Sequence, residues 1–270
     1  MPELPEVETT RAGLSPRLQG RVLTRVIVRE PRLRWPIPPD LDTQLRGLTL
    51  HGLARRGKYL LFDFGAVTQL VHLGMSGSLR LTEPAEPAAR HDHVDWRFDD
   101  GTILRLRDPR RFGAVLLTEN APGHPLLAGL GPEPLSTAFD AAYLHTQCQR
   151  RKTAIKPLIM DAHVVVGVGN IYASESLFHA GIRPGVAAHR LSRAACARLA
   201  DAIKQVLTAA IAAGGSSLRD YVQSSGELGY FQLQTRVYDR EDAPCRRCAT
   251  PIRRIVQAQR ASFYCPTCQR

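Results

Sequence analysis

The sequence predicts a mixed α+β protein built in consecutive blocks. Three observations carry that reading: an amphipathic stretch at the start, a run of short β-branched segments over residues 20 to 118, and a Leu- and Ala-rich stretch to residue 213 followed by paired cysteines. At 270 residues the chain can bury a sizeable core, and its length suits two domains better than one.

Residues 3 to 18, ELPEVETTRAGLSPRL, place Leu4, Val7, Leu14 and Leu18 on one stripe with the acids largely elsewhere, so a first helix is expected. Pro2 and the acids Glu3, Glu6 and Glu8 suit a helix N-terminus, whose dipole favours negative charge. Next come RVLTRVIV, KYLLFDF, VTQLVHLG, HVDWRF, TILRLR and AVLLTE, separated by Gly, Pro and Asp, which predict a sandwich or barrel of mostly antiparallel strands. TENAPGHPLLAGLGPEPLS is rich in Pro and Gly and reads as the linker. Residues 137 to 213 read as helical, most clearly RLSRAACARLADAIKQVLTAAIAAGG, which Gly214 and Gly215 stop. From 228 the texture returns to strands and turns around cysteines, and no repeat or low-complexity tract interrupts the chain.

A formal net charge of +11 and a pI near 9.8 point to a polyanionic partner. Four lysines stand against 32 arginines, and Lys58 is the sole lysine in the first 151 residues. A chain that writes Arg for generic charge has written Lys there, where a compact, titratable ammonium matters. No stretch reaches the roughly 18 apolar residues of a membrane span, and the acidic N-terminus does not suit a signal peptide, so a soluble intracellular protein is expected. Six cysteines in that compartment argue for metal or redox use over disulfides.

The strongest local motif is CRRCATPIRRIVQAQRASFYCPTC. Cys245 and Cys248 form one C-x2-C knuckle, Cys265 and Cys268 another, with 16 residues between, the spacing of a four-thiolate zinc site. A redox pair needs only one knuckle, so one closed, structural zinc is expected. Arg246, Arg247, Arg253, Arg254 and Arg260 would then give that hairpin a phosphate-facing surface, although most of them read equally as solvated charge. Cys148 and Cys196 lack such spacing and read as ordinary buried thiols.

Residues 150 to 184 put four basic residues before an apolar run, then the Gly-rich turn VGVGN and a restarted helix ending near Gly181. Backbone N–H groups and the Asn170 amide at that helix start would make an anion site, though an ordinary turn explains the stretch as well. HLGMSG (72 to 77) and DPRRFG (108 to 113) read as turns beside strands. From them Met75, Arg110 and Phe112 either pack inside or project to wedge into a base stack.

Taken together, MPELPEVE, Lys58 in RRGKYL, HLGMSG, HDHVD, DPRRFG, KTAIKP with VGVGNIYASE, and the terminal four-cysteine element with AQRASFYCPTC strongly resemble the bacterial formamidopyrimidine-DNA glycosylases, in the same order across essentially the whole chain. The resemblance implies an N-terminal β-sandwich, a helix-two-turn-helix domain and a zinc hairpin, with DNA in the cleft between domains. The corresponding boundaries are 1–132, 133–235 and 236–270. It also implies a bifunctional repair enzyme that excises oxidised purines such as 8-oxoguanine and formamidopyrimidines from double-stranded DNA. Such an enzyme then cuts the strand by β- and δ-elimination, and works as a cytoplasmic, nucleoid-associated monomer.

In that frame Pro2, exposed by removal of Met1, is the nucleophile that attacks the sugar C1′ of a flipped nucleotide. An α-amine with a pKa of about 7.7–8 is partly unprotonated near neutrality, which suits the role. Glu3 matches the proton donor and shuttle, Glu6 a supporting acceptor, Lys58 the proton donor of β-elimination, and Arg260 the phosphate-binding arginine of δ-elimination. A guanidinium is a poor acid, so the electrostatic role of Arg260 is the better founded. His91, Arg110, Arg151 and Asn170 match DNA-contacting positions, with His72 and Lys156 as less firm additions. Met75, Arg110 and Phe112 match the trio that fills the gap left by the extruded nucleotide, and a lesion-covering loop is expected at 216 to 231. The chain departs from the family pattern with Arg at 150 and 151 and Ala-Ser at 261 and 262. Two rivals stand beside this reading: an endonuclease VIII-like glycosylase for oxidised pyrimidines, and a zinc-ribbon DNA-binding protein without catalysis.

Overall fold

The structure, a computed structural model, describes residues 2–83, 86–215 and 235–270. It divides into two compact units. The first runs to Ala128 and includes 213–215, and the second comprises Gly129–Ala212 with the described tail.

The first unit opens with α1 (Leu4–Leu18), and Pro5 stands in its first turn, where a missing N–H costs no hydrogen bond. The predicted stripe is there, with Leu4, Leu14 and Leu18 fully buried and Val7 at 1 % exposure. The acids do not all lie elsewhere, however: Glu6 is fully buried and Glu3 nearly so. The reason is local. The Glu6 carboxylate accepts the backbone N–H of Glu3, the helix N-cap, at 2.7 Å, so a helix-start donor and a favourable dipole satisfy the buried charge.

Two four-stranded antiparallel sheets follow. One has the order β1 (Leu23–Val28), β6 (Asp92–Phe98), β7 (Ile103–Arg107), β5 (Ser78–Thr82). The other runs β2 (Gly52–Arg56), β3 (Tyr59–Asp63), β4 (Thr68–His72), β8 (Ala114–Thr118). One core joins them: Val26, Trp96 and Leu106 of the first sheet cluster with Leu60, Phe62, Val71 and Val115 of the second, beside Leu14 of α1 and Leu41 and Leu45 of α2 (Leu41–Leu45). This is a sandwich and not a closed barrel. Buried Trp96 keeps its indole N–H satisfied by donating to Gln69 Oε1 at 2.9 Å. A short helix, α3 (Pro125–Ala128), lies within the stretch read as the linker.

The second unit holds α4 (Ala141–Gln149), α5 (Ile155–Met160), α6 (Asn170–Ala180) and α7 (Arg193–Ala212). Asp140 caps α4 by accepting the N–H of Tyr143 at 2.7 Å, and Gly181 closes α6 in the left-handed conformation that favours glycine. The tail ends in an antiparallel hairpin of β9 (Arg253–Gln257) and β10 (Arg260–Tyr264). Val237, Ile252 and Phe263 of this tail cluster with Phe178 of α6. The Glu175 carboxylate on α6 accepts the N–H groups of Arg236, Val237 and Tyr238 at 2.8–3.0 Å, so one buried acid pins the tail to the helix. The loop at 216 to 231 lies outside the described residues. Among the described residues no helix is long and apolar enough to cross a membrane.

Candidate active site

In the first unit, Pro2 is buried directly before the capped start of α1, so the capping bond between Glu3 and Glu6 fixes the backbone that follows Pro2. One and a half turns along α1, Glu8 accepts from Arg11 at 2.8 Å and from Arg55 at 2.8 Å. Burial works to raise the Glu8 carboxyl, but hydrogen bonds and charge from Arg11 and Arg55 outweigh it and leave the group below its usual value. Arg55 also donates to the carbonyl of Gly57 at 3.0 Å, within the turn that presents Lys58. Gly57 has φ of 58°, a conformation that a side chain resists. Helix α1 and the Lys58 turn are therefore tied through one guanidinium.

His72 ends β4 with its ring 4.8 Å from that of Tyr59. Burial lowers its pKa to about 4, helped by the charges of Lys58 and Arg34. The Gly74 N–H donates to His72 Nδ1 at 3.0 Å, so that nitrogen keeps its lone pair and the ring proton sits on Nε2, free to donate to an anion. Because the imidazole stays neutral in the folded protein and protonates in the unfolded one, the unfolded state binds the extra proton between pH 6.5 and about 4. Stability should rise with pH across that window. Compared with His72→Gln, the wild type is expected to lose stability on going from pH 7 to pH 5, read by urea denaturation at both values.

The turns at 72–77 and 108–113 are locked together by Asp108, which is fully buried. Its carboxylate accepts from Ser76 Oγ at 2.9 Å and from the Gly113 N–H at 2.8 Å, while Ser76 Oγ accepts the Arg110 N–H at 3.2 Å. The His93 ring contacts the Asp108 carbonyl at 2.8 Å, and the Asp108 N–H donates to the His91 carbonyl at 3.0 Å. A Cβ on Gly74 would lie 2.4 Å from the Phe112 carbonyl carbon, so only glycine lets the turns approach this closely. The product is a paired loop that projects Met75 at 37 % and Phe112 at 44 % exposure, with the Arg110 guanidinium 4.9 Å over the Phe112 ring. His91 is half-buried beside this clamp. Asp108→Ala leaves at least two buried donors without their acceptor, at about 1–3 kcal/mol each. A loss on the order of 2–6 kcal/mol in chemical denaturation is expected, and Asp108→Asn, which keeps one acceptor oxygen, should recover part of it.

In the second unit, Asn170 opens α6 after the predicted Gly-rich turn, where Gly167 has φ of 83°. Its Oδ1 accepts from Lys156 Nζ at 2.7 Å, and the same ammonium donates to the Ala261 carbonyl at 2.9 Å and to Ser262 Oγ at 2.8 Å. Lys156 is 1 % exposed. It is turned inward, a placement that orients the Asn170 amide. Arg151 is half-buried and donates to Gln147 Oε1 at 2.6 Å. Arg260 is exposed and follows a two-residue turn, Ala258 and Gln259, with φ of 44° and 59°, strained values for residues other than glycine.

The four paired cysteines place their Sγ atoms within 4.8 Å of one another, with Cys248–Cys265 at 3.4 Å and Cys245–Cys268 at 3.9 Å. A tetrahedral zinc with Zn–S of about 2.3 Å sets S···S near 3.8 Å, so the donors fit one zinc ion. The backbone N–H groups of Arg247 and Cys268 approach Cys245 and Cys265 sulfur at 3.4 Å, contacts that would steady a thiolate.

Three family models match in chain order: the formamidopyrimidine-DNA glycosylase N-terminal domain over 1–115, its H2TH domain over 130–222, and the zinc finger found in FPG and IleRS over 243–270. The formamidopyrimidine-DNA glycosylase of Thioalkalivibrio sulfidiphilus is 59 % identical over the full length of both chains. The chain belongs to the formamidopyrimidine-DNA glycosylase family. Among solved structures of that family, the MutM (Fpg) protein of Thermus thermophilus is 39 % identical with a TM-score of 0.89, covering 99 % of this chain and 98 % of that one. The Lactococcus lactis Fpg in complex with abasic-site DNA is 34 % identical with a TM-score of 0.92, covering 99 % of each.

Several residues that support the candidate site residues or the fold of each unit carry no signal in the sequence. Asp108, Glu8, Arg55 and Glu175 act through partners tens of residues away, and only their placement reveals them. Cys148 and Cys196, read as ordinary buried thiols, are both fully buried, on α4 and α7, and share a hydrogen bond; that bond, with burial, raises the Cys148 thiol.

Proposed function

We propose that this chain is a bifunctional base-excision repair glycosylase for oxidised purines in duplex DNA, acting as a monomer on the bacterial nucleoid in the cytoplasm. The observation that carries the reading is the N-terminal segment: buried Pro2, whose amine removal of Met1 would free, leads directly into a capped helix start with two buried carboxylates, in a chain of this family.

Met75, Arg110 and Phe112 enter the base stack and hold the space of the extruded nucleotide. The unprotonated Pro2 amine attacks C1′, the base departs with the electron pair of the glycosidic bond, and Glu3 supplies and shuttles the proton. Collapse of the sugar ring leaves a Schiff base between Pro2 and C1′. Loss of the 2′ proton then expels the 3′ phosphate, with Lys58 as proton donor, and a second elimination expels the 5′ phosphate. Arg260, His72 and Asn170 bind the phosphates, Arg260 through charge-assisted hydrogen bonds that stabilise the leaving groups. His91 and Arg151 add backbone contacts, and Arg110 faces the orphaned partner base. Zinc supplies structure to the hairpin that carries Arg260 and takes no part in the bond changes.

The test uses duplexes with one 8-oxoguanine or one oxidised pyrimidine. The chain should release 8-oxoguanine preferentially and give a covalent adduct on borohydride reduction. Binding without free base or adduct would leave a non-catalytic zinc-ribbon protein, and preference for the pyrimidine would move the chain to the endonuclease VIII-like class.

A further inference from the structure

The loop between β1 and α2 carries RLRWP, a stretch with no part in the chemistry above. Arg32, Leu33 and Arg34 of this loop line a recess of about 600 Å3 together with Arg110, Arg111 and Phe112. Four guanidiniums around one recess repel one another, and the structure treats them as two pairs.

Glu30 occupies the first pair. Its carboxylate accepts from Arg32 Nε and Nη2 at 2.7 Å each and from Arg111 Nη1 at 3.4 Å. The Arg32 hydrogen bonds hold the Glu30 carboxyl down to about 2, so it remains an anion and Arg32 remains engaged. The second pair, Arg34 and Arg110, forms no ion pair among the described residues. Each guanidinium instead lies over the ring of a sequence neighbour, Arg34 over Trp35 at 4.8 Å and Arg110 over Phe112 at 4.9 Å. A guanidinium stacked this way is oriented by its flat face and keeps its N–H edge for oxygen acceptors in the plane, the geometry that suits phosphate.

The two arginines differ in one respect. Arg110 sits on the projecting part of the wedge loop, whereas the Arg34 backbone N–H donates to the Gly113 carbonyl at 3.1 Å and holds Arg34 at that loop's base. The charge of Arg34 also acts on Tyr59 and His72, so it belongs to the same face as the Lys58 turn.

We propose that Arg34 is a further DNA-binding residue and that this recess takes a backbone phosphate of the duplex flanking the wedge. The inference rests on the reading of the chain as a duplex-DNA glycosylase. As Met75, Arg110 and Phe112 enter the stack, the neighbouring phosphates arrive at the base of the loop. Arg110 goes in with the wedge, and Arg34 stays behind to meet them.

The experiment measures the affinity of the full chain for a duplex carrying a tetrahydrofuran abasic analogue opposite cytosine, across a series of salt concentrations. Each phosphate contact contributes about 0.9 to the slope of log K against log salt. Arg34→Ala is expected to bind several-fold more weakly with a slope shallower by about 0.9, equally for every opposite base, and Arg34→Lys should keep the slope. The Arg34 side chain is exposed, so the fold does not depend on it, and Arg34→Gln, which retains part of the stem, should lose the same slope. An unchanged slope in both neutral variants overturns the proposal when the wild type binds and excises 8-oxoguanine. A wild type that binds DNA without excising the lesion instead overturns the glycosylase reading, and the slopes still decide the phosphate contact.

Discussion

A chain that retains Met1 is expected to bind lesion-bearing duplex and yield no covalent adduct on borohydride treatment. An added residue turns the secondary amine of Pro2 into a tertiary amide, whose nitrogen lone pair is delocalised and cannot attack C1′. Losing the nucleophile should lower base excision by at least roughly 10^3-fold, with the residual rate supplied by binding and electrostatics. The local backbone gives a second reason: Pro2 is buried and the backbone after it is held by the Glu3 to Glu6 bond, so an extension cannot swing aside to expose another amine in the same place. Intact mass separates processed from unprocessed chains in one preparation, and trapping yield should follow the processed fraction. An adduct of full yield from an unprocessed chain would assign the attack to another amine, with Lys58 first to test.

Removing zinc should abolish tight DNA binding. The hairpin's apolar cluster is small: its buried members are Phe178, Val237, Cys245, Ile252, Phe263 and Cys265, and two of those six are zinc-ligand candidates. A core that small does not offset the entropy of ordering the segment, whereas structural zinc contributes on the order of 10–16 kcal/mol in small zinc domains. Chelation, or Cys265→Ser, is therefore expected to disorder residues 243 to 270 and displace Arg260. The dissociation constant for an abasic-analogue duplex should rise by roughly 100-fold or more, the 2.7 kcal/mol or more that a lost set of phosphate contacts represents. The sandwich has its own core and should keep its sheet signal in circular dichroism. A metal-free chain that binds with unchanged affinity would refute the structural role. Zinc content by mass spectrometry and affinity by fluorescence anisotropy, taken on one sample, decide the matter.

What the sequence makes legible here is whatever repeats at short range. The period of Leu4, Val7, Leu14 and Leu18 predicts α1, the alternating runs predict the strands, and the two C-x2-C knuckles predict the cluster that the folded chain assembles. Chemistry carried by a fold-wide constellation is a different matter. Pro2, Glu3 and Lys58 are ordinary one at a time, and only the ordered set of motifs suggests the roles proposed for them. The supports are less legible still, because they depend on which distant backbone groups the fold delivers. Nothing near Asp108 announces that its carboxylate will meet Ser76 and Gly113, and nothing near Lys156 announces the turn inward. Glu6 misleads in the other direction. On a helical wheel it belongs with the solvated acids, yet the N-terminal donor of its own helix lets it lie fully inside.

The Lys156 ammonium, held at once by Asn170 of α6 and by Ala261 and Ser262 of the metal hairpin, makes two distant-seeming properties reciprocal. Metal binding orders the segment that supplies the Ala261 and Ser262 acceptors, and so lowers the cost of keeping a cation buried beside Asn170. By thermodynamic linkage the same free energy must appear in the metal's affinity. Lys156→Met should therefore make the hairpin release zinc to a competing chelator at a lower chelator concentration, although the lysine touches no cysteine. Metal content becomes a gauge of how firmly the start of α6 is held.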